Sequence, residues 1–371
     1  MLAVGIGCLW FSRKDIPRKL STLENFDFEA HFASLKKELE AIPNISNIEV
    51  HTPKLNMYML YDDDDEDELA KFFPCTTQAA ISFSINLPSR VQTLHHLREP
   101  NTGSENFNVL LNWANEAPVA YMSYEAADAN VSPSSAIVVV RKFLENHFEN
   151  NSKKFSFETI GPSPMHADFY ISGNEFPSES EPIMSIRDES FAGVGYKDFR
   201  ITYNPQEIEN DNVALKIFIA RYTESIASYY RTICYRNHLL DRSRETHSHL
   251  QDLLKVQTQP GLRGVVKRLF HAPKISKDLS ISLLSEELSK MDLLEHLTSS
   301  KREQSLLPDS PFEEFAAAEV EGAPSRPSSS IREVIGLFEE RYLKNLENMT
   351  VIGAGVFGGI IGSTITYLLG K

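Results

Sequence analysis

The sequence predicts an α+β domain with a mixed or antiparallel sheet and two packed helices, followed by a long-helix region and one C-terminal transmembrane helix. Over residues 1–204, short segments with alternating apolar residues are interspersed with segments of helical spacing. From residue 205 onward, apolar residues recur at near-heptad spacing instead. The segment from Val351 to Gly370 contains no charged residue. These three patterns predict the three parts in that order.

The composition excludes several classes of protein. The chain has 371 residues and a formal net charge of −14, which disfavours a broad nucleic-acid-binding surface. Its three cysteines form no CxxC pair, and this indicates a reducing compartment rather than a disulfide framework or a cysteine zinc site. The sequence contains no complete phosphate-binding glycine motif and no HExxH motif. We therefore expect no nucleic acid, no metal and no cofactor.

Residues 1–204 are expected to form the α+β domain. The stretch from Ile81 to Leu87 alternates apolar and polar residues and is the clearest half-buried strand. Helical spacing predicts a helix over about 22–42, and another helix is predicted to begin at Pro133, where an early proline is tolerated. The apolar stretch from Leu2 to Phe11 is interpreted as a buried first strand or, alternatively, as a short membrane or signal element.

The second part of the chain is expected to be helical. Residues 205–298 are predicted to form a helical hairpin, a stalk or a coiled coil. Residues 299–330 are rich in proline and serine, which predicts a flexible linker. Residues 331–349 carry apolar side chains on one face and are predicted to form an amphipathic juxtamembrane helix.

Residues 350–371 are predicted to span a membrane. An uncharged helix of this length measures about 30 Å, the thickness of a bilayer core. Two glycine pairs at a spacing of four residues predict close contact between two such helices, and hence self-association through this segment. These glycines are Gly355, Gly358, Gly359 and Gly362.

His166 and Asp168 are the candidate catalytic residues. They alternate with apolar residues in a predicted strand and therefore project from the same face. A His-x-Asp pair of this kind can carry out acid–base catalysis. The alternative interpretation is a solvated strand face without catalytic function.

One basic stretch is a candidate membrane-surface element. Arg263, Lys267 and Arg268 lie among apolar residues, and basic amphipathic segments bind anionic lipid surfaces. The alternative is a solvated turn between two helices.

We therefore expect a binding or scaffold module that is anchored by its C-terminus in a lipid bilayer and has its N-terminal region in the cytoplasm. An extension of this hypothesis is a membrane effector that self-associates. The partner of the N-terminal domain is not indicated by any motif. The second hypothesis is a membrane-anchored hydrolase that uses His166 and Asp168.

Overall fold

The computed structural model describes residues 1–14, 28–52, 79–95, 102–113, 118–127, 131–160, 167–173, 183–189, 197–304, 312–321 and 328–369. The strands are β1 (Leu2–Gly7), β2 (Leu9–Arg13), β3 (Ile45–His51), β4 (Ala79–Asn86), β5 (Asn106–Trp113), β6 (Pro118–Glu125), β7 (Phe155–Thr159), β8 (Ala167–Ser172), β9 (Met184–Asp188) and β10 (Lys197–Tyr203). The helices are α1 (Phe28–Glu40), α2 (Ser89–His95), α3 (Pro133–Asn151), α4 (Asp211–Thr258), α5 (Gly261–Phe270), α6 (Ala272–Gln304), α7 (Phe312–Glu321) and α8 (Ser328–Leu369).

The described part of the chain has an α+β fold built on a large mixed sheet. The sheet has eight strands in the order β3-β4-β5-β6-β1-β8-β10-β9. Strands β8 and β10 are parallel, and the other neighbouring pairs are antiparallel. Strand β1 therefore lies in the interior of the sheet, between β6 and β8, and every one of its residues is buried. A separate two-stranded sheet pairs β2 with β7.

Helix α3 covers one face of the large sheet at β1. A Cβ atom on Gly5 would collide with the carbonyl oxygen of Pro133 and would lie 2.8 Å from Cγ1 of Ile137. The absence of a side chain at Gly5 therefore allows the first turns of α3 to approach the strand closely. This contact brings the N-terminus of α3 next to the centre of the sheet.

The first half of α4 covers the opposite face. Phe218 of α4 packs against the rings of Tyr121 and Phe169, with centroids 6.5 Å and 5.9 Å away. Tyr121 and Phe169 each pair with a residue of β1 that points to this face, namely Ile6 and Val4. Because helices cover both faces, the central strands are buried throughout and lack the half-exposed alternation seen in β4.

The described residues divide into two compact units. Unit 1 comprises residues 1–234 and 299–318, and unit 2 comprises residues 235–298 and 319–371. The division lies within α4, whose first half belongs to the core of unit 1. Unit 2 has a small apolar core of its own. Its buried members are Leu253, Ala272, Leu279, Leu283 and Ile335.

The segment predicted as a flexible linker contains ordered structure. Helix α7 lies inside it, and Ala316 is buried in the core of unit 1. The ring of Phe315 contacts Phe199 at a centroid distance of 5.8 Å. The Phe and Ala residues of α7 therefore make apolar contacts with unit 1. The high proline and serine content of the whole segment gave no indication of these contacts.

The predicted transmembrane helix is wrong. Among the described residues, no helix has the length and apolarity required to cross a bilayer. Residues 351–369 are the C-terminal part of α8, and in the sequence of this part glycines, Ser363, Thr364 and Thr366 interrupt the run of apolar residues. Glycine and hydroxyl-bearing residues add little apolar surface, so the absence of charge had overstated the apolarity. The predicted tail anchor and single-pass membrane location are corrected with it.

Candidate functional site

Asp168, one of the two predicted catalytic residues, lies at the junction of β8 with the N-terminus of α3. Its side chain is only 5% exposed, so the alternative of a solvated strand face does not describe it. The backbone N–H of Ser134 donates to its Oδ1 at 2.5 Å, and the hydroxyl of Ser132 donates to its Oδ2 at 3.3 Å. Both carboxylate oxygens therefore accept hydrogen bonds from the first turn of α3, where free N–H groups favour negative charge.

The electrostatic surroundings of Asp168 favour its protonated form. Burial and, to a smaller extent, the charge of the nearby Asp198 raise the pKa of Asp168, while the hydrogen bonds from Ser134 and Ser132 lower it, and the net result is a pKa of about 6. Burial, and then the charge of Asp168, also raise the pKa of Tyr170 well above its ordinary value. The Tyr170 hydroxyl donates to the carbonyl oxygen of Val131 at 2.7 Å. The carboxyl group is therefore set in a buried polar cluster that connects the sheet to α3.

His166 lies outside the described residues, so its predicted pairing with Asp168 stays a prediction. The described geometry assigns Asp168 itself to a capping arrangement, because the donors it meets belong to a helix N-terminus. Over the described ranges, no three His, Cys, Asp or Glu side chains come together in a group that could hold a metal ion.

The basic residues predicted to face a membrane surface lie in α5. Arg268 is partly occupied within the chain, since its Nη1 donates to the carbonyl oxygens of Gln257 at 3.3 Å and Gln259 at 2.7 Å. It therefore satisfies carbonyl groups at the end of α4, a common use of arginine near a helix C-terminus. Arg263 and Lys267 are exposed, and a role for them at a lipid surface stays a prediction.

The glycines predicted to pack against a second helix lie in α8. Gly355, Gly358 and Gly359 are exposed, and a Cβ atom built on any of them would meet no atom within 4 Å. Gly362 lies in the same helix. Within the part of the chain that the structure describes, no atom occupies the space left by the missing side chains of the first three, and their packing against another helix stays a prediction.

A surface that sequence reasoning missed lies on α6. Four apolar side chains at successive spacings of three, four and three residues are between 52% and 64% exposed, and we call them the α6 stripe. They are Ile281, Leu284, Leu288 and Met291. Other α6 side chains, including Leu279 and Leu283, are buried in the core of unit 2. Helix α6 is thus apolar on two faces, of which only one is covered by described residues.

The signal for the α6 stripe is present in the sequence, because the four residues occupy alternating a and d positions of a heptad. The sequence did not show which of the two apolar faces of the helix packs inside its own unit. This assignment required the positions of α4 and α8, which cover the other face.

Comparison with known proteins adds little to this geometry. No family model matches the chain, and no curated protein matches it. A similar solved structure is the 1.75 Å crystal structure of the toxic C-terminal tip of CdiA from Pseudomonas aeruginosa in complex with immune protein. The identity is 9% and the TM-score 0.20, over 46% of this chain and 94% of that chain. A likeness at this TM-score carries no argument about function.

Proposed function

We propose that the protein is a non-enzymatic binding or scaffold module that self-associates through its helical unit. The observation that carries this proposal is the exposed α6 stripe. Four apolar side chains on one face of one helix form a continuous surface, whereas exposed apolar residues scattered singly need no explanation. Apolar a and d positions are the positions through which helices pair in coiled coils.

The distribution of exposed apolar side chains supports assigning the contact to unit 2. Among the described residues, unit 1 exposes three large apolar side chains, those of Leu94, Ile183 and Ile217. The other large exposed apolar side chains all belong to unit 2. Unit 1 buries its apolar residues around a large sheet, while unit 2 has a small core and leaves apolar faces uncovered. A contact with another helix would cover such a face.

The hydrolase hypothesis receives less support from the geometry. A raised carboxyl pKa is typical of catalytic acids, but it also follows from burial alone. Both oxygens of Asp168 accept hydrogen bonds from the start of α3, and the side chain is almost completely shielded from solvent. The arrangement is explained by a helix cap.

Sedimentation equilibrium tests the proposal. The variant L284E/L288E places two charges in the α6 stripe and is expected to remain monomeric at concentrations where the unmodified chain associates. The matched control V265E/V266E introduces the same charges at exposed valines of α5, in the same unit, and is expected to associate normally. Unchanged far-UV circular dichroism would show that both variants are folded. Normal association of L284E/L288E would refute the proposal.

A further inference from the structure

We propose that the partner of the α6 stripe is the same stripe on a second copy of the chain, with the two α6 helices antiparallel and Lys277 of each copy facing Glu295 of the other. This inference rests on the proposed function, because it specifies the partner and the register of the same surface. It is carried by a symmetry in the positions of the apolar and charged residues.

A two-fold pairing requires that if one residue meets another across the interface, the second also meets the first. In an antiparallel pair centred on position 286, Ile281 meets Met291 and Leu284 meets Leu288. Each of these contacts occurs twice, which gives four apolar layers over about 15 Å of helix. All four members of the stripe are used, and none is left facing a polar residue.

The heptad positions agree with this direction. Ile281 and Leu288 occupy a positions, and Leu284 and Met291 occupy d positions. Antiparallel helices place an a residue opposite a d residue, and both pairings of the proposed register are of this kind. The apolar residues alone do not determine whether the two helices are parallel or antiparallel, because a parallel pair would also bring apolar layers together.

The charged residues at the two ends of the stripe determine the direction. One heptad step beyond the stripe, the next d position is Lys277 and the next a position is Glu295, and both side chains are exposed. The antiparallel register places Lys277 against Glu295 at each end. A parallel register would place Lys277 against Lys277 and Glu295 against Glu295, and like charges in such positions disfavour pairing.

Another acidic residue beside the stripe is already engaged within the chain. The carboxylate of Glu287 accepts a hydrogen bond from the guanidinium of Arg332 in α8. Glu287 therefore helps to hold α8 against α6 inside unit 2, and the charge pattern at the ends of the stripe rests on Lys277 and Glu295.

Charge reversal tests the register. K277E and E295K should each weaken association about fivefold at low salt, since two attractive pairs become repulsive at the symmetric ends. The double variant K277E/E295K should restore it, because each reversed residue again faces an opposite charge. K290E, at an exposed lysine off the stripe, is the matched control and should associate like the unmodified chain. Failure of the double variant to recover while both single variants are weakened would overturn the register.

Disulfide crosslinking tests the direction independently. Chains carrying I281C and chains carrying M291C, in a C75S background and with tags of different size, are mixed and oxidised with copper phenanthroline. The antiparallel pair predicts a mixed product, whereas two copies of position 281 lie about 15 Å apart along the axis and should not crosslink. Crosslinking of I281C with itself would show a parallel pair and overturn this inference alone. A chain that remains monomeric would instead refute the proposed function.

Discussion

Substitution of Asp168 by asparagine is expected to remove a pH-dependent loss of stability from unit 1. The asparagine side chain has nearly the same shape, and its carbonyl oxygen can accept the hydrogen bond from the backbone N–H of Ser134. The helix cap is therefore retained, while the ionisable group is lost. The variant separates the structural contribution of Asp168 from its charge.

The size of this change in stability follows from the pKa of the Asp168 carboxyl group. Folding raises this pKa from 3.8 to about 6, so the folded chain holds the proton more tightly than the unfolded chain does. The stability contributed by this tighter binding is fully present below pH 3.8 and is lost as the pH rises through 6. A shift of about two units corresponds to about 3 kcal/mol. The free energy of unfolding should therefore decrease by about 2 kcal/mol more in the unmodified chain than in D168N between pH 4 and pH 7, because part of the full effect is already lost at pH 4.

Urea unfolding followed by tryptophan fluorescence measures this difference. The two tryptophans of the chain, Trp10 and Trp113, both lie in unit 1, so the signal reports on the unit that contains Asp168. E207Q is the control, because it removes an exposed carboxyl group from the same unit. Parallel pH profiles for D168N and the unmodified chain would refute the assignment of a buried carboxyl group with a raised pKa. A loss of stability in D168N at pH 7 would refute the argument that asparagine preserves the cap.

Three further substitutions test the packing. G5A should destabilise unit 1 by about 2 kcal/mol, because the added Cβ atom would collide with Pro133. An unchanged midpoint of urea unfolding would contradict the close contact of α3 with β1. Y121F should cost about 1 kcal/mol in the same assay by removing the 2.8 Å hydrogen bond between Tyr121 and Thr223, and equal stability would contradict that bond. L283A should destabilise unit 2 by about 2–5 kcal/mol, because it leaves a cavity in the core of that unit. It should lower the melting temperature measured by far-UV circular dichroism and leave the unfolding transition measured by tryptophan fluorescence unchanged. A shift of both transitions would contradict two separate cores.

The local elements of the fold were accessible from the sequence where periodicity was strong. The alternation from Ile81 to Leu87 corresponds to β4, because β4 has one buried face and one partly exposed face. The proline at the start of α3 was likewise interpreted correctly, since it lies in the first turn. The order of strands in the sheet was not accessible, because β1 pairs with β6 and β8, which lie more than a hundred residues away in the chain.

The errors have physical causes as well. Apolar periodicity continues through α4, so it gave no indication that the two halves of this helix belong to different units. The absence of charge from Val351 to Gly370 was interpreted as a membrane span, although glycine, serine and threonine contribute little apolar surface. Asp168 alternates with apolar residues as a surface residue would, but in the fold it is buried and accepts hydrogen bonds from the start of α3. The α6 stripe lies in a helix whose two apolar faces look alike in the sequence.

The measurement that tests the central claim most directly is sedimentation equilibrium of the unmodified chain over a range of concentrations. Covering the exposed half of eight stripe side chains contributes about 8 kcal/mol in all. The low end of the cost of association, about 4 kcal/mol, leaves a net stabilisation of about 4 kcal/mol, so we expect a dissociation constant in the range of about 1 mM. The account predicts a monomer–dimer equilibrium in this range that L284E/L288E abolishes. A chain that remains monomeric up to about 1 mM, or a dimer that L284E/L288E leaves intact, would contradict it.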